Sequence, residues 1–169
     1  MMAAPLHRML RKCQSVQLSY IAASRYQVHR VDQGRREMGD FALWPVLAGA
    51  AAFFVVGAIW YGVLFGKAWQ RAAGMSDEDV QGGNMALIFG LTFAFEMLIA
   101  MVLWHLIART SPEPHVVMMM SIGFAVGVMI PAVGINYLYQ RKSGMLFAID
   151  SGHFIAGMAA MGGVFLLFL

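Results

Sequence analysis

Charge is scarce in this chain: only 12% of its 169 residues are Asp, Glu, Lys or Arg, against 60% that are hydrophobic. Soluble domains carry about a quarter of charged residues, so water is excluded as the main solvent of most of this sequence. A single cysteine, Cys13, excludes an internal disulfide framework and any cysteine-built metal cluster. The formal net charge of +3 is small. With no basic stripe interleaved with aromatics, nothing in it points to nucleic acid. Strict polar/apolar alternation is also missing. Runs such as LAGAAAFFVVGAIW cannot line one face of a barrel strand, which excludes a transmembrane β-barrel.

What is present is four long apolar tracts, Phe41 to Phe65, Met85 to Ala108, Val116 to Tyr139 and Met145 to Leu169. Each exceeds the roughly 20 helical residues that cross the hydrocarbon core of a bilayer. The expected fold is all-α, a four-helix membrane bundle with the lipid bilayer as its partner. Several glycine-rich faces leave more packing surface than one bundle uses, which points to a homo-oligomer.

Residues 1–37 differ from the rest. They hold seven Arg and Lys residues against Asp32 and Glu37. Three readings compete. The segment resembles an organellar transit peptide in composition; it could bind anionic lipid beside the membrane; or translation starts at Met38, which lies just before the first span and after a Gly-Arg-Arg-Glu stretch that purine-rich codons can encode. We favour the start at Met38. Loop charge sets orientation. Loops one and three hold Lys67, Arg71, Arg141 and Lys142, whereas loop two holds only Arg109. A start at Met38 therefore puts both termini outside, and a real cytoplasmic extension puts both inside.

In the first span Gly49, Phe53 and Gly57 recur every four residues, a face for close helix packing. Trp44, Trp60, Tyr61 and Trp69 sit where interfacial aromatics are expected. In loop one, Ser76 and Asp79 have the spacing of a capping box, and the loop should form an amphipathic surface turn. The second loop, RTSPEPH, is short and makes spans two and three antiparallel neighbours. Gly123 and Gly127 form a GxxxG pair in span three. Pro131 removes a backbone donor and crowds the carbonyl of Gly127, so a kink is expected there. Met118, Met119 and Met120 suit Cu(I) by ligand type, but adjacent residues point in different directions around a helix, and packing is the preferred reading. Ala156, Ala160 and Gly163 give span four a small-residue face.

The candidate site lies where spans three and four meet. Asn136 and Asp150 flank the turn near Lys142 at similar depth, on the order of 10 Å inside the surface at 1.5 Å per residue. They are expected to face each other. Asp150 and His153 are three apart and share a helix face. His153 lies a turn deeper, toward the level of Glu96 in mid-span. A central acidic charge costs about 3 kcal/mol even on lenient insertion scales, so Glu96 should be neutral, paired or turned to a wet interior. Trp60, Tyr61 and Tyr137 are candidate pocket aromatics around this cluster.

Three uses of the cluster stay open. Asn136 and Asp150 could lock the hairpin; Asp150, His153 and Glu96 could pass protons or bind a cation; and an intramembrane hydrolase is the weakest of the three, since Ser151 is adjacent to Asp150 and points elsewhere. No catalytic residue, metal site or cofactor is indicated, because one His and the carboxylates lack the further ligands that zinc needs. Any small ligand or ion is unidentified.

The stretches AIWYGVLFGKAWQRAAGMSDED and NYLYQRKSGMLFAIDSGH resemble the signature segments of the bacterial integral-membrane family called domain of unknown function 1761. The resemblance runs from about Met38 to Leu169. It implies a four-helix inner-membrane protein and carries no activity, cofactor or substrate with it. Two functional classes follow: a proton- or cation-linked membrane activity using Asp150, His153 and Glu96, or a structural or regulatory subunit without turnover.

Overall fold

A computed structural model describes residues 43–169. These residues form one compact unit, and the basic segment 1–37 lies outside them. The described chain is all-α, and among the described residues there is no strand. Four helical stretches are long and apolar enough to cross a membrane: Leu43–Leu64, Met85–Thr110, Pro114–Tyr139 and Gly144–Phe168.

The first stretch is α1 (Leu43–Ile59) continued by a π-helical turn, Trp60–Leu64. Loop one folds into two short helices, α2 (Gly66–Ala73) and α3 (Asp77–Gln81). Gly74, with φ of 73°, ends α2 in the left-handed conformation that a side chain disfavours. The capping box forms as its spacing indicates. Ser76 Oγ accepts from the Asp79 amide at 3.1 Å, and the Ser76 amide donates to Asp79 Oδ2 at 2.8 Å.

Helix α4 (Met85–Thr110) starts at Asn84, whose side chain accepts from the Leu87 amide. Helices α5 (Pro114–Phe124) and α6 (Ile130–Tyr139) are joined by a π segment, Ala125–Met129. This is how the chain accommodates Pro131. The Ile130 amide reaches back five residues to the Ala125 carbonyl, so the wider turn absorbs the ring crowding that a regular helix would meet. Ser143 caps α7 (Gly144–Phe165) by accepting from the Leu146 amide at 3.2 Å.

Helix α7 is the centre of the bundle. A third of its most apolar window is buried, against 17% for α4. It packs most extensively on α1 and then on α5, while α4 rests mainly on α1. Spans two and three follow each other through a short loop but touch only lightly. Chain proximity therefore did not decide their packing: α4 rests on α1 and α5 on α7.

Helices in lipid gain little from apolar burial as such, so close approach carries the association. Gly157 receives the ring of Phe53, which would lie 2.8 Å from an added Cβ, and Gly49 receives Phe165 at 2.5 Å. The α1 face of Gly49, Phe53 and Gly57 thus packs on α7. On α7 the closest approaches fall at Gly152, Gly157 and Gly162. Ala156, Ala160 and Gly163, expected to carry that role, are half-buried. Gly123 and Gly127 have nothing within 4 Å of an added Cβ, so the GxxxG pair faces away from the bundle.

The dry core occupies the half of the bundle nearest loop two, where Leu103, Ile107, Val117, Met158, Met161 and Phe165 are fully enclosed. Toward loops one and three, packing thins. The first turns of α4 and all of α6 expose apolar side chains, among them Leu87, Phe89, Ile135 and Leu138. Met118 and Met120 are half-buried while Met119 is exposed, as expected for three consecutive helical positions.

Candidate functional site

The polar groups gather in the less crowded half, on the inner flanks of α1, α6 and α7. Asp150 is the focus. Its carboxylate is buried, with 6% of the residue exposed. Tyr61 donates its hydroxyl to Oδ1 at 2.7 Å, and Tyr137 donates to Oδ2 at 2.6 Å. Three helices are thereby tied through one side chain. Both bonds are short, in the range of charge-assisted hydrogen bonds.

One residue back, the Ile149 carbonyl accepts a further bond, from Trp60 Nε1 at 3.1 Å. Trp60 and Tyr61 both come from the π turn that ends α1. Gly66 permits that turn to close, since a Cβ there would collide with the Tyr61 carbonyl. Gly152 gives the Trp60 indole its seat, with the ring 2.8 Å from an added Cβ. Trp69 on α2 meets Tyr61 edge-on at 5.8 Å between centroids. Ser143 at the start of α7 donates to the Ala72 carbonyl at 3.1 Å, so loops one and three lie on the same side of the bundle.

His153 sits one turn below Asp150 and is buried. Its ring is surrounded by aromatics: Tyr61 at 4.9 Å, Phe53 edge-on at 5.1 Å and Phe154 at 5.6 Å. Among the described residues Nε2 has no hydrogen-bond partner. It points at Gly57, where an added Cβ would stand 3.0 Å away. Glu96 on α4 is also buried, with 5% exposed, and its Oε2 lacks a partner. Buried polar atoms are nearly always bonded; among the described residues three lack a partner, Ser151 Oγ, His153 Nε2 and Glu96 Oε2, and the last two belong to titratable groups.

The structure brings together Asp150, His153, Tyr61 and Tyr137, with Trp60 beside them. It does not bring Asn136 to Asp150. Asn136 is exposed and donates to the Ala132 carbonyl at 3.1 Å, four residues back on its own helix. Depth counting placed both residues at the right level, but Asn136 and Tyr137 are about 100° apart around the helix axis, and it is Tyr137 that faces α7. The cross-hairpin partner of Asp150 is therefore a tyrosine. Trp60, Tyr61 and Tyr137, anticipated as pocket walls, bond directly to the Ile149–Asp150 segment. His153 and Glu96 share no hydrogen bond, and the residues stacked on His153 come from α1 and α7.

Sequence inspection did not single out Gly57 as the neighbour of His153, or Gly152 as the seat of Trp60. The four-residue spacing of Gly49, Phe53 and Gly57 was the available signal for the first. The second had none, because the π turn that re-aims Trp60 is invisible in the sequence.

Among the described residues no three His, Cys, Asp or Glu side chains come together as a metal site would need. The sole ion pair among them joins Lys67 to Asp77 at 2.8 Å on the surface. Asp150 thus has hydroxyl partners and no cationic one.

Four apolar helices around a buried, tyrosine-clamped carboxylate define a helical protein compatible with multiple membrane passes. The family profile described as "Protein of unknown function (DUF1761)" matches residues 44–166, and the chain belongs to that family. Comparison with curated proteins gives no significant match, and neither does comparison with solved structures.

Proposed function

We propose that this chain is a multi-pass inner (plasma) membrane protein that runs a proton- or cation-linked transmembrane activity through Asp150, His153 and Glu96. The observation that carries this reading is the pair of buried titratable side chains with an unpaired atom each, His153 Nε2 and Glu96 Oε2. A group kept only for stability would be bonded or replaced by an apolar one, since leaving a buried donor or acceptor unmade costs about 1–3 kcal/mol. A group that exchanges a proton needs a free position. Intramembrane carboxylates and histidines serve proton and ion pathways for this reason.

In this reading Tyr61 lies between the two principal groups, bonded to Asp150 and stacked on His153. Its hydroxyl can donate to the carboxylate or, after Asp150 takes up a proton, accept from it. Tyr137 holds the second carboxylate oxygen and keeps the group oriented while this happens. Glu96 belongs to a separate step, because no bond links it to His153. With translation starting at Met38, the excess of Lys and Arg in loops one and three supports a cytoplasmic position for those loops and both termini outside. Association into a homo-oligomer accompanies the outward-facing Gly123 and Gly127.

A second reading has its own support. Asp150 joins α1, α6 and α7 through two hydroxyls, which is what a helix staple in a structural or regulatory subunit would do.

Reconstitution separates the two. Full-length protein in liposomes with an internal pH dye should pass protons or a monovalent cation when a pH step is imposed. Asp150→Asn and His153→Gln should keep the folded protein and abolish the flux. Absence of flux in the wild type at every pH, or loss of fold in both variants, would leave the staple as the function.

A further inference from the structure

We propose that Arg71, Arg141 and Lys142 form a binding site for the headgroup of an anionic phospholipid on the loop-one and loop-three side of the bundle. The inference rests on the membrane placement and concerns a surface separate from the Asp150 cluster.

The first observation is how the basic residues are sorted. Lys67 is engaged by Asp77 at 2.8 Å. Asp79 is consumed by the Ser76 capping box. Arg71, Arg141 and Lys142 are exposed and make no ion pair among the described residues. They come from two loops, and the bond from Ser143 Oγ to the Ala72 carbonyl draws those loops together at 3.1 Å. Arg71 is next to Ala72, and Lys142 is next to Ser143. The tie therefore sets cations from both loops on one small surface.

The second observation is backbone strain at Arg141. Its φ is 53°, in the left-handed region that glycine or asparagine occupies at low cost. The conformation lets the Arg141 and Lys142 amides donate to the Leu138 and Tyr137 carbonyls and so closes α6; the same backbone geometry holds the exposed Arg141 side chain at the tip of the hairpin.

The third observation chooses a lipid over a free anion. Immediately next to the basic tips, Val63, Leu64, Leu138 and Met145 expose apolar side chains, and Tyr139 is 88% exposed. Cations at the tips with a collar of apolar and aromatic surface on the adjoining helix ends match an amphiphile, with phosphate above and acyl chain alongside. A soluble phosphate would use only the first half of this arrangement.

The test is site-resolved crosslinking. Full-length protein in dodecyl maltoside is mixed with phosphatidylglycerol carrying a photoreactive group near its headgroup, irradiated and peptide-mapped. Adducts are expected on Trp69–Ala73 and Tyr139–Met145. Zwitterionic phosphatidylcholine with the same reactive group should label these segments weakly, and inorganic phosphate should not compete. Arg141→Gly relieves the positive φ, so the protein should remain folded while labelling of Trp69–Ala73 falls about fivefold, the effect of one charge at a membrane surface. Lys142→Gln should act similarly, and Tyr139→Phe should not. Equal labelling by the two lipids, full competition by inorganic phosphate, or unchanged labelling in both charge variants would overturn the proposal. A chain recovered in solution without detergent would refute the membrane placement itself, an outcome distinct from these.

Discussion

Removing the hydroxyl of Tyr137 should cost more stability than removing the whole polar cluster. In the native bundle Asp150 Oδ2 accepts from Tyr137 at 2.6 Å, and the carboxylate is buried. Tyr137→Phe leaves that oxygen enclosed with one partner fewer. If the carboxylate is charged, the loss is about 1.5–3 kcal/mol, the range for bonds to charged groups. If it is neutral, the loss approaches the ~0.6 kcal/mol average of interhelical bonds in membrane proteins. Tyr61→Phe should behave alike, since its bond to Oδ1 is 2.7 Å. Replacing all three members, as Tyr61→Phe, Tyr137→Phe and Asp150→Leu together, removes donors and acceptor at once and leaves no further buried polar atom unpaired. Such complete replacement is often close to neutral. Unfolding of the detergent-purified variants by heat or dodecyl sulfate, followed by circular dichroism, measures each change, and Tyr139→Phe serves as the exposed control. The reasoning fails if Tyr137→Phe is indistinguishable from Tyr139→Phe. It also fails if the triple variant is less stable than Tyr137→Phe alone. A stable triple variant then provides a folded bundle without the clamp, in which any surviving pH-dependent flux would argue against Asp150 as its carrier.

Gly152→Ala puts a Cβ 2.8 Å from the Trp60 ring and should destabilise by about 1–3 kcal/mol through overpacking, whereas Gly90→Ala, with open space around it, should be neutral or slightly stabilising in the same unfolding assay. Gly57→Ala sets a Cβ 3.0 Å from His153 Nε2; the expected result is a folded protein with lost flux in liposomes, and retained flux would show that this nitrogen takes no part. On the surface, Lys67 holds Asp77 below its ordinary carboxylate value of 3.8 by a hydrogen bond and its charge, and the Ser76 amide and hydroxyl do the same for Asp79. A depressed folded value means that each group stabilises loop one above pH 3.8 and that the gain fades as pH falls through the lowered value. Protection of the α3 amides relative to their intrinsic exchange rate at each pH should therefore be constant near neutrality and fall only in that acid range, and in Ser76→Ala the part due to Asp79 should shrink, since the backbone amide at that position still donates.

Much of the architecture was legible in the residues because its causes are local. Four apolar tracts gave four helices with ends shifted by only a few residues, since length, hydropathy and caps such as Asn84, Ser143 and the Ser76–Asp79 pair act within one segment. Pro131 announced a distortion, and the π segment Ala125–Met129 is the form it takes. Pairing of helices was less legible. Loop two is short, yet α4 leans on α1 and scarcely on α5, with Phe89 and Phe93 meeting Phe54 edge-on.

The candidate site divides along the same line. Composition and spacing alone determined that Asp150 and His153 share a helix face, that Glu96 lies far from either end of its span, and that loops one and three lie together. These follow from helical rise and repeat, which every residue obeys. Only the tertiary structure decided that Tyr137 and not Asn136 meets Asp150, that Trp60 and Tyr61 both turn onto α7, and that His153 Nε2 is left without a partner. Those outcomes depend on the rotation of α6 about its axis and on one widened turn at the end of α1. Rotations of this kind are set by how whole helices pack, and no single segment encodes them.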